Sequence, residues 1–493
     1  MKKTILLIAI ISISQFSAKS ETYNLDLQKS IEIAKEKSFS MLTLVQDFKI
    51  AEYNLKSAKS SFKAHINLNF VSPQYTETVR QFEDSAGISF YPIKQLNYQG
   101  NVNINQPLPT DGYVYIKTGL SNYDDFYSNL RSTYLNTRIG LVQPLDALYG
   151  YNKIKAAYKT AELAYEQAKK GLKREELNLV YQVSSSFYSL LSDQKRAEIA
   201  HLDLDRQSEA YDISQNKYKA GLIKEVDALQ MEVDLAEAQN NYDVAIVNQN
   251  ASLNSFKQFI GIELSDSVTI NSEFKYEVVI VDPEKAVQFA KENRLEIREQ
   301  EIFIEMNKLA LKKQKSEGMI QGDLTAYYEK VGVSGQDINT KISTAVNNSY
   351  NDFLNRPQNY GVGFTITVPI LDFGENKALV RAAESRLKKN FLQKAEVQRN
   401  IEREVRNLVA DLNSSLKRLQ LLEKNIVVAE KSFEITRQRF SDGDVDSQGL
   451  ALERKRLNNA YTSHLSAYTS YQLILSDLMR KTFYDFQKNE LIK

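Results

Sequence analysis

The eight prolines of this chain are unevenly distributed, and their positions constrain the fold more than any other feature. Residues 145–282 and 370–493 contain none, and both stretches are rich in Ala, Leu, Lys, Glu and Gln. Because an interior proline costs a helix about 3 kcal/mol, proline-free stretches of this length and composition predict long helices. A glycine interrupts each stretch near its middle, at Gly221 and at Gly443. Each stretch is therefore predicted to hold two helices that meet at a glycine turn.

The residues before these two glycines match each other. Residues 211–218 precede Gly221 and residues 433–440 precede Gly443, and every aligned position in the two segments is identical or chemically similar. Such a match indicates an internal repeat, in which each unit is about half of the chain. Each repeat is predicted to contain a helix, strands, a long helix and a return helix. The predicted divisions are a signal peptide at 1–20, a first repeat at 21–262, an equatorial connector at 263–282 and a second repeat at 283–493.

The predicted helices are too long for an ordinary domain. A helix over residues 146–220 would measure about 110 Å at a rise of about 1.5 Å per residue. After its glycine turn, the chain returns through a shorter helix, and Asp282-Pro283 then supplies a cap and a first-turn proline for another. The remaining predicted helices cover residues 25–62, 222–262, 283–317, 373–440 and 444–484.

The last of these helices carries a coiled-coil seam. Apolar and aromatic residues recur there at alternating spacings of about three and four positions, which is the heptad pattern of packed helices. His464 lies on this seam between tyrosines, so we expect a packed seam residue and not a metal ligand or catalytic base. The seam residues are Leu457, Tyr461, His464, Tyr468, Tyr471, Leu475 and Leu478.

Segments between the helices alternate between apolar and polar residues, as strands with one apolar face do. In the clearest example, Val362, Phe364 and Ile366 alternate with Gly363 and Thr365. Such strands could equally form a soluble sandwich with one solvated face, but the signal-peptide pattern at the start of the chain and the long helices favour a membrane barrel. Four or six such strands cannot close a membrane barrel alone, since the smallest barrels use about eight, so in that case several copies must share one barrel. The strand candidates are residues 66–70, 98–106, 113–120, 135–141, 324–328 and 360–370.

Composition narrows the class of protein. Lys2, Lys3 and the apolar run at 5–13 are typical of a secretory signal peptide, and no later segment is apolar for long enough to form a transmembrane helix. The chain has no Cys and three scattered His, so we expect no metal site and no cofactor. A net charge of +1 argues against a nucleic-acid partner, and no catalytic motif is present, so we expect no enzyme.

Together these motifs resemble the TolC-like outer membrane efflux proteins. The resemblance depends on the repeat, on strands that end in Pro107-Leu108 and Pro144-Leu145, and on an aromatic-x-x-Gly tip in each repeat. It implies a mainly α fold with a β-barrel part, in which long antiparallel helical hairpins form a trimeric α-barrel tunnel below a shared transmembrane β-barrel. Family members usually supply four strands per protomer. Here residues 96–120 suggest an extra hairpin, so four or six strands remain open.

The resemblance also implies a function and partners. A homotrimer in outer membrane lipid, extending into the periplasm, would serve as the passive exit duct of a tripartite efflux or type I secretion system for small molecules or proteins. A periplasmic adaptor, or membrane fusion protein, and an inner-membrane pump would be its partners. The alternative is a periplasmic coiled-coil adaptor or structural protein outside the membrane. Polar loops such as residues 335–358 beside apolar-faced strands favour the duct. The sequence does not specify the cargo.

The family's periplasmic aperture corresponds by position to the segments beyond the two glycines. Gly449 stands where the second repeat would carry the counterpart of Asp227, and Val445 stands where the best-known member has a gating arginine, so that member's latch is not expected here. The expected aperture residues are Asp227, Asp442, Asp444 and Asp446. The expected adaptor-contact residues are Tyr218, Gly221, Phe440 and Gly443.

Two other readings of the acidic segment stay open. Asp442, Asp444, Asp446 and Glu453 match positions of a calcium-binding loop, although Ser447 replaces the glycine which that loop requires. The carboxylates could equally be a solvated turn. If they surround a narrow symmetric mouth, they would form an acidic ring that favours cations.

Overall fold

A computed structural model of the chain describes residues 22–84, 87–145, 147, 150–270 and 274–492. The predicted signal peptide at residues 1–20 lies outside the described residues. The helices are α1 Leu27–Lys37, α2 Phe39–Ser60, α3 Lys153–Lys219, α4 Glu225–Ile260, α5 Pro283–Asn293, α6 Leu295–Glu317, α7 Ile342–Asn355, α8 Glu375–Asp442 and α9 Ser447–Thr482. The strands are β1 Thr22–Leu25, β2 His65–Asp84, β3 Gly87–Pro107, β4 Tyr113–Asp125, β5 Leu130–Pro144, β6 Ser267–Ile270, β7 Gln321–Asp337, β8 Asn359–Thr367, β9 Tyr484–Asp485 and β10 Glu490–Leu491.

Internal contacts divide the chain into two units, and each is described by itself. The helical unit contains the described residues up to Gln46, Gly171–Leu295 and the described residues from Gln398 onward. The sheet unit contains Asp47–Lys170 and Glu296–Val397. None of the helices in the described ranges combines the length and the apolar character that crossing a bilayer requires.

The long helix of the first repeat begins later than predicted. Residue 146 is the predicted start, but α3 begins at Lys153. The Asn152 side chain accepts a hydrogen bond from Lys155 N at 2.8 Å, and the Asp111 carboxylate accepts bonds from Lys153 N and Ile154 N at 3.0 and 3.1 Å. These oxygens satisfy the free amides of the first turn, so they fix the start of the helix.

Two segments predicted as single helices are each broken into two. The segment at 25–62 breaks at Ser38, and the segment at 283–317 breaks at Arg294. Both of these residues have extended backbone angles, which end the helix before them. In each case the short first helix has 11 residues and an aspartate N-cap. The predicted connector at 263–282 contains β6, which pairs with β1 in parallel.

The main sheet lies in the sheet unit and has six antiparallel strands in the order β2-β3-β4-β5-β7-β8. This settles the open strand number at six in one sheet, and β2 and β8 are its two edges. Residues that face each other across the ladders form an apolar row on one face and a polar row on the other. The apolar row is Ile66, Ile104, Ile116, Ile139, Tyr328 and Tyr360. The polar row is Asn67, Asn103, Lys117, Arg138, Glu329 and Asn359.

The segment at 335–358 is not the polar loop that was expected, because it contains helix α7. This helix packs beside β7, where β8 no longer pairs with it. Ser349 Oγ donates to Gly332 O at 2.9 Å, and the Asp352 carboxylate accepts from Val333 N at 2.7 Å. The helix thus satisfies backbone groups that would otherwise form an open strand edge.

The seam predicted for α9 is confirmed. Leu457, Tyr468, Tyr471, Leu475 and Leu478 are buried, and Tyr461 and His464 are half-buried. The Tyr471 hydroxyl donates to Glu277 O at 2.7 Å, so the seam also holds the connector.

Candidate functional site at the helix tips

The two long helices of the chain end in the same type of turn. We call residues 217–224 the first tip and residues 439–446 the second tip. Gly221 and Gly443 have φ angles of 71° and 94°, in the left-handed region that favours glycine. In each turn the amide after the glycine donates to the carbonyl oxygen five residues earlier, at 2.9 Å. This Schellman arrangement satisfies the last carbonyl groups of the helix and reverses the chain.

The two tips meet within the helical unit. Lys217 Nζ donates to Phe440 O and lies 4.9 Å from the centroid of the Phe440 ring. A second contact lies behind the tips, where Arg437 Nη1 of α8 is 2.5 Å from Glu209 Oε1 of α3. The two hairpins are therefore joined by the Lys217 cation, which contacts a carbonyl group and a ring face of the second tip, and by a separate ion pair behind the tips.

A cavity of about 790 Å³ lies between the tips. Its lining includes Asp227 and all three acidic residues of the second tip, Asp442, Asp444 and Asp446. The four carboxylates that the sequence analysis selects from distant segments are therefore brought to one place. Lys217 lines the same cavity.

The acidic residues have different local roles. Asp446 is the N-cap of α9, and its Oδ1 accepts a hydrogen bond from Gly449 N at 2.9 Å. Asp442 accepts from Gln438 Nε2 at 3.2 Å, within the last turn of α8. Asp227 lies in the first turn of α4 and is half-buried, whereas Asp442, Asp444 and Asp446 are exposed. The exposed set can therefore act on solutes through its charge.

The expected adaptor-contact residues are not equally accessible. Tyr218 is 40% exposed, and Gly221 and Gly443 are exposed, so these three can meet a partner. Phe440 is only 3% exposed, because its ring packs in a core cluster. In this chain Phe440 therefore supports the tip from inside. Its cluster neighbours are Ala210, Met231, Phe433, Leu450 and Leu457.

The calcium reading of the second tip does not match this geometry. The Asp446 carboxylate caps a helix, and Glu453 accepts from Ser432 Oγ at 3.0 Å and pairs with Arg456 at 2.5 Å. No group of three or more His, Asp or Glu side chains in the described part of the chain is placed to hold a metal ion.

Lys217 is the functional candidate that the sequence analysis did not single out. It occupies the position that Arg439 occupies in the second repeat, so a basic residue recurs just before each aromatic tip residue. That recurrence was the signal in the sequence that could have identified Lys217. The contact itself could not be predicted, because Phe440 lies 223 residues from Lys217 in the chain.

Long helical hairpins with glycine tips and an antiparallel sheet with one apolar face are the features expected of a channel protein of the outer membrane. The family model for outer membrane efflux proteins matches residues 93–261 and 337–480, more than half of the chain. The chain therefore belongs to the outer membrane efflux protein family. It is an outer-membrane efflux channel protein whose helical part extends into the periplasm.

Solved structures show the same fold. The chain is similar to a membrane protein from Pseudomonas aeruginosa, with 14% identity, a TM-score of 0.68, and coverage of 92% of this chain and 93% of that chain. It is similar to the CmeC outer membrane channel of Campylobacter jejuni, with 13% identity, a TM-score of 0.67, and coverage of 95% and 86%. It is also similar to the outer membrane protein VceC of Vibrio cholerae, with 13% identity, a TM-score of 0.65, and coverage of 92% and 95%. No curated protein matches the sequence.

These comparisons confirm the predicted resemblance and the predicted fold class. The family is one of channel proteins of the outer membrane, which favours the duct over the alternative of a periplasmic protein outside the membrane.

Proposed function

We propose that three copies of this chain form the passive exit duct of a tripartite efflux or type I secretion system. Each copy would add its six strands to one barrel and its helices to one tunnel. An inner-membrane pump would supply the energy, and a periplasmic adaptor would join pump and duct. The duct itself would carry out no chemical reaction. The pump would select the small molecules or proteins that pass through the duct.

The sheet is the observation that carries this proposal. Its strands alternate in direction over an even number, so β8 of one copy can pair in an antiparallel manner with β2 of the next. Along β8, Tyr360, Val362, Phe364 and Ile366 are each at least 55% exposed on the apolar face. The apolar face suits contact with lipid, but the unpaired backbone groups of two strand edges are unfavourable there until identical neighbours pair with them.

We also propose roles for the tips. The mouth formed by the tips of three copies would be the periplasmic aperture, lined by Asp227, Asp442, Asp444 and Asp446. Tyr218, Gly221 and Gly443 would contact the adaptor, and Phe440 would hold their turn in shape. The contact of Lys217 with Phe440 would keep the two hairpins of one copy together at this mouth.

Two measurements test this function. Purified protein in a planar bilayer should conduct ions as a detergent-stable oligomer, whereas a non-conducting monomer would refute the duct. A photo-crosslinker at Lys219 or Ser441, beside the tip glycines, should capture the adaptor in cells. The same crosslinker at exposed Glu52 on α2 is the control, and equal capture at all three positions would refute the proposed docking site.

A further inference from the structure

One row on the polar face of the main sheet carries three charges. Lys117 of β4 faces Arg138 of β5 in the ladder, and Arg138 faces Glu329 of β7. The adjacent rows on this face contain no Asp, Glu, Lys or Arg. They are Asn69, Asn101, Gly119, Asn136 and Val331 on one side, and His65, Asn105, Tyr115, Gly140, Tyr327 and Gly361 on the other. The charged row is therefore flanked on both sides by rows of uncharged side chains.

Two of the three charges in this row compensate each other. Arg138 Nε lies 3.7 Å from Glu329 Oε1, and the Arg138 guanidinium lies 3.9 Å from the centroid of the Tyr327 ring. Asn136 Nδ2 donates to the same Glu329 oxygen at 3.1 Å. This network holds Glu329 against Arg138, so the carboxylate is not directed at Lys117.

Lys117 is the remaining cation of the row. Its Nζ lies 5.5 Å from the centroid of the Tyr115 ring, and its side chain is exposed. In the described ranges of the chain, no carboxylate lies within ion-pair distance of it. The row therefore has one uncompensated positive charge in each copy.

This charge faces a cavity whose lining is mainly neutral hydrogen-bonding groups. A cavity of about 870 Å³ on this face of the sheet is lined by Lys117, Arg138 and Glu329 together with amides and hydroxyls, and Glu329 is the carboxylate that Arg138 already pairs with. Asn101, Asn103 and Tyr134 are among them, and they can donate hydrogen bonds to an oxyanion. A positive charge with neutral donors around it is the arrangement that binds anionic groups.

We propose that this row is an anion-recognition site in the wall of the channel, selective for solutes that carry carboxylate or phosphate groups. The inference rests on the proposed function, because closure of the sheet by identical copies places one Lys117 from each copy around a common lumen. Rings of basic side chains attract anions into pores in this way. The acidic tips and the basic row would then act on solutes of opposite charge in different parts of the same molecule.

Block of the open channel by tripolyphosphate tests the site. The protein is placed in a planar bilayer at about 0.01 M salt, where the screening length is about 30 Å, and tripolyphosphate is added to each side in turn. In Lys117→Gln the blocking affinity should fall at least severalfold, whereas Lys117→Arg should keep it. Lys341→Gln, which removes the same charge at the start of α7, is the matched control and should block like the unaltered protein.

The outcomes separate this inference from the proposed function. If the unaltered protein does not conduct, the duct itself is refuted. If Lys117→Gln conducts and is blocked like the unaltered protein, the anion site is refuted and the duct stands. If Lys117→Gln does not insert, Glu329→Gln decides, because loss of the only negative charge of the row should strengthen the block, and an unchanged or weaker block overturns the inference.

Discussion

At the scale of single residues, the buried seam of α9 makes the sharpest predictions about stability. The Tyr471 ring is fully buried, and its hydroxyl donates to Glu277 O at 2.7 Å and accepts from Val279 N at 3.2 Å. Tyr471→Phe leaves the buried Val279 amide and the part-buried Glu277 carbonyl group without this partner, so the free energy of unfolding should fall by about 1–3 kcal/mol. Urea unfolding of the detergent-solubilised protein measures this change.

Tyr461→Phe is the matched control for that experiment. The Tyr461 hydroxyl donates to Glu430 Oε1 at 2.6 Å, but this contact is exposed and water can replace it. Its loss should cost clearly less than the loss at Tyr471, and equal costs would contradict the role of the seam in holding the connector.

His464 on the same seam predicts a pH dependence. Burial lowers the pKa of its imidazole, and Glu423 opposes this shift only in part. The folded state therefore favours the neutral ring, and the unfolded chain binds the proton more readily. Stability should fall as the pH drops through the ordinary imidazole range, between about pH 7 and pH 5.

His464→Gln should remove part of this loss of stability. The measurement is the difference in unfolding free energy between the two pH values, for the variant and for the unaltered protein. His201→Gln, at an exposed position on α3, is the control. A loss of stability on acidification that is unchanged by His464→Gln would contradict the assignment.

At the scale of elements, the second tip allows charge and helix capping to be separated. Asn is as good an N-cap as Asp, whereas Ala at this position costs about 1 kcal/mol. Asp446→Asn should therefore leave the free energy of unfolding unchanged, and Asp446→Ala should lower it by about that amount.

The same variants test the charge of the second tip. If the tip carboxylates form the aperture, single-channel recording should show a reduced cation preference in both variants, and a further reduction when Asp444→Asn is added. Unchanged selectivity in all of them would refute the acidic ring.

The sequence predicts the long elements of this protein well, because their signals are local. Proline-free stretches and glycine turns place α3, α4, α8 and α9, and period-two alternation predicts a part of each strand of the main sheet. Strands β2, β3 and β7 extend well beyond the predicted segments at 66–70, 98–106 and 324–328. Helix starts are less predictable, because the start of α3 depends on Asp111 from a distant turn. Helix α7 was not predicted, because the sequence of this segment is typical of a polar loop. The helix is stabilised by tertiary contacts, among them its hydrogen bonds with β7.

The candidate site was predictable only in part. Its acidic residues and glycines could be found from the repeat, since each occurs in a local pattern. The burial of Phe440 could not, because it depends on packing against Ala210 and Met231, far away in the sequence. The contact between Lys217 and Phe440 was hidden for the same reason.

At the scale of the whole molecule, the two edges of the sheet predict a cross-link between copies. The chain has no native cysteine, so introduced pairs give a clean result. One cysteine at Asn67 or Asn69 of β2, combined with one at Gly361, Gly363 or Thr365 of β8, should give covalent oligomers on oxidation in at least one combination. The β2 cysteines combined with one at Thr118 of the central strand β4 are the control. Oxidation that yields only monomers in every β2–β8 combination would contradict the pairing of edges.

The central claim is that identical copies complete one channel wall, and cryo-electron microscopy of the detergent-purified protein tests it most directly. The account predicts three copies around one lumen, with six strands from each copy in a single closed barrel and β8 of one copy beside β2 of the next. A particle made of a single copy, or a closed oligomer in which β2 and β8 stay unpaired and no lumen passes through, would contradict it.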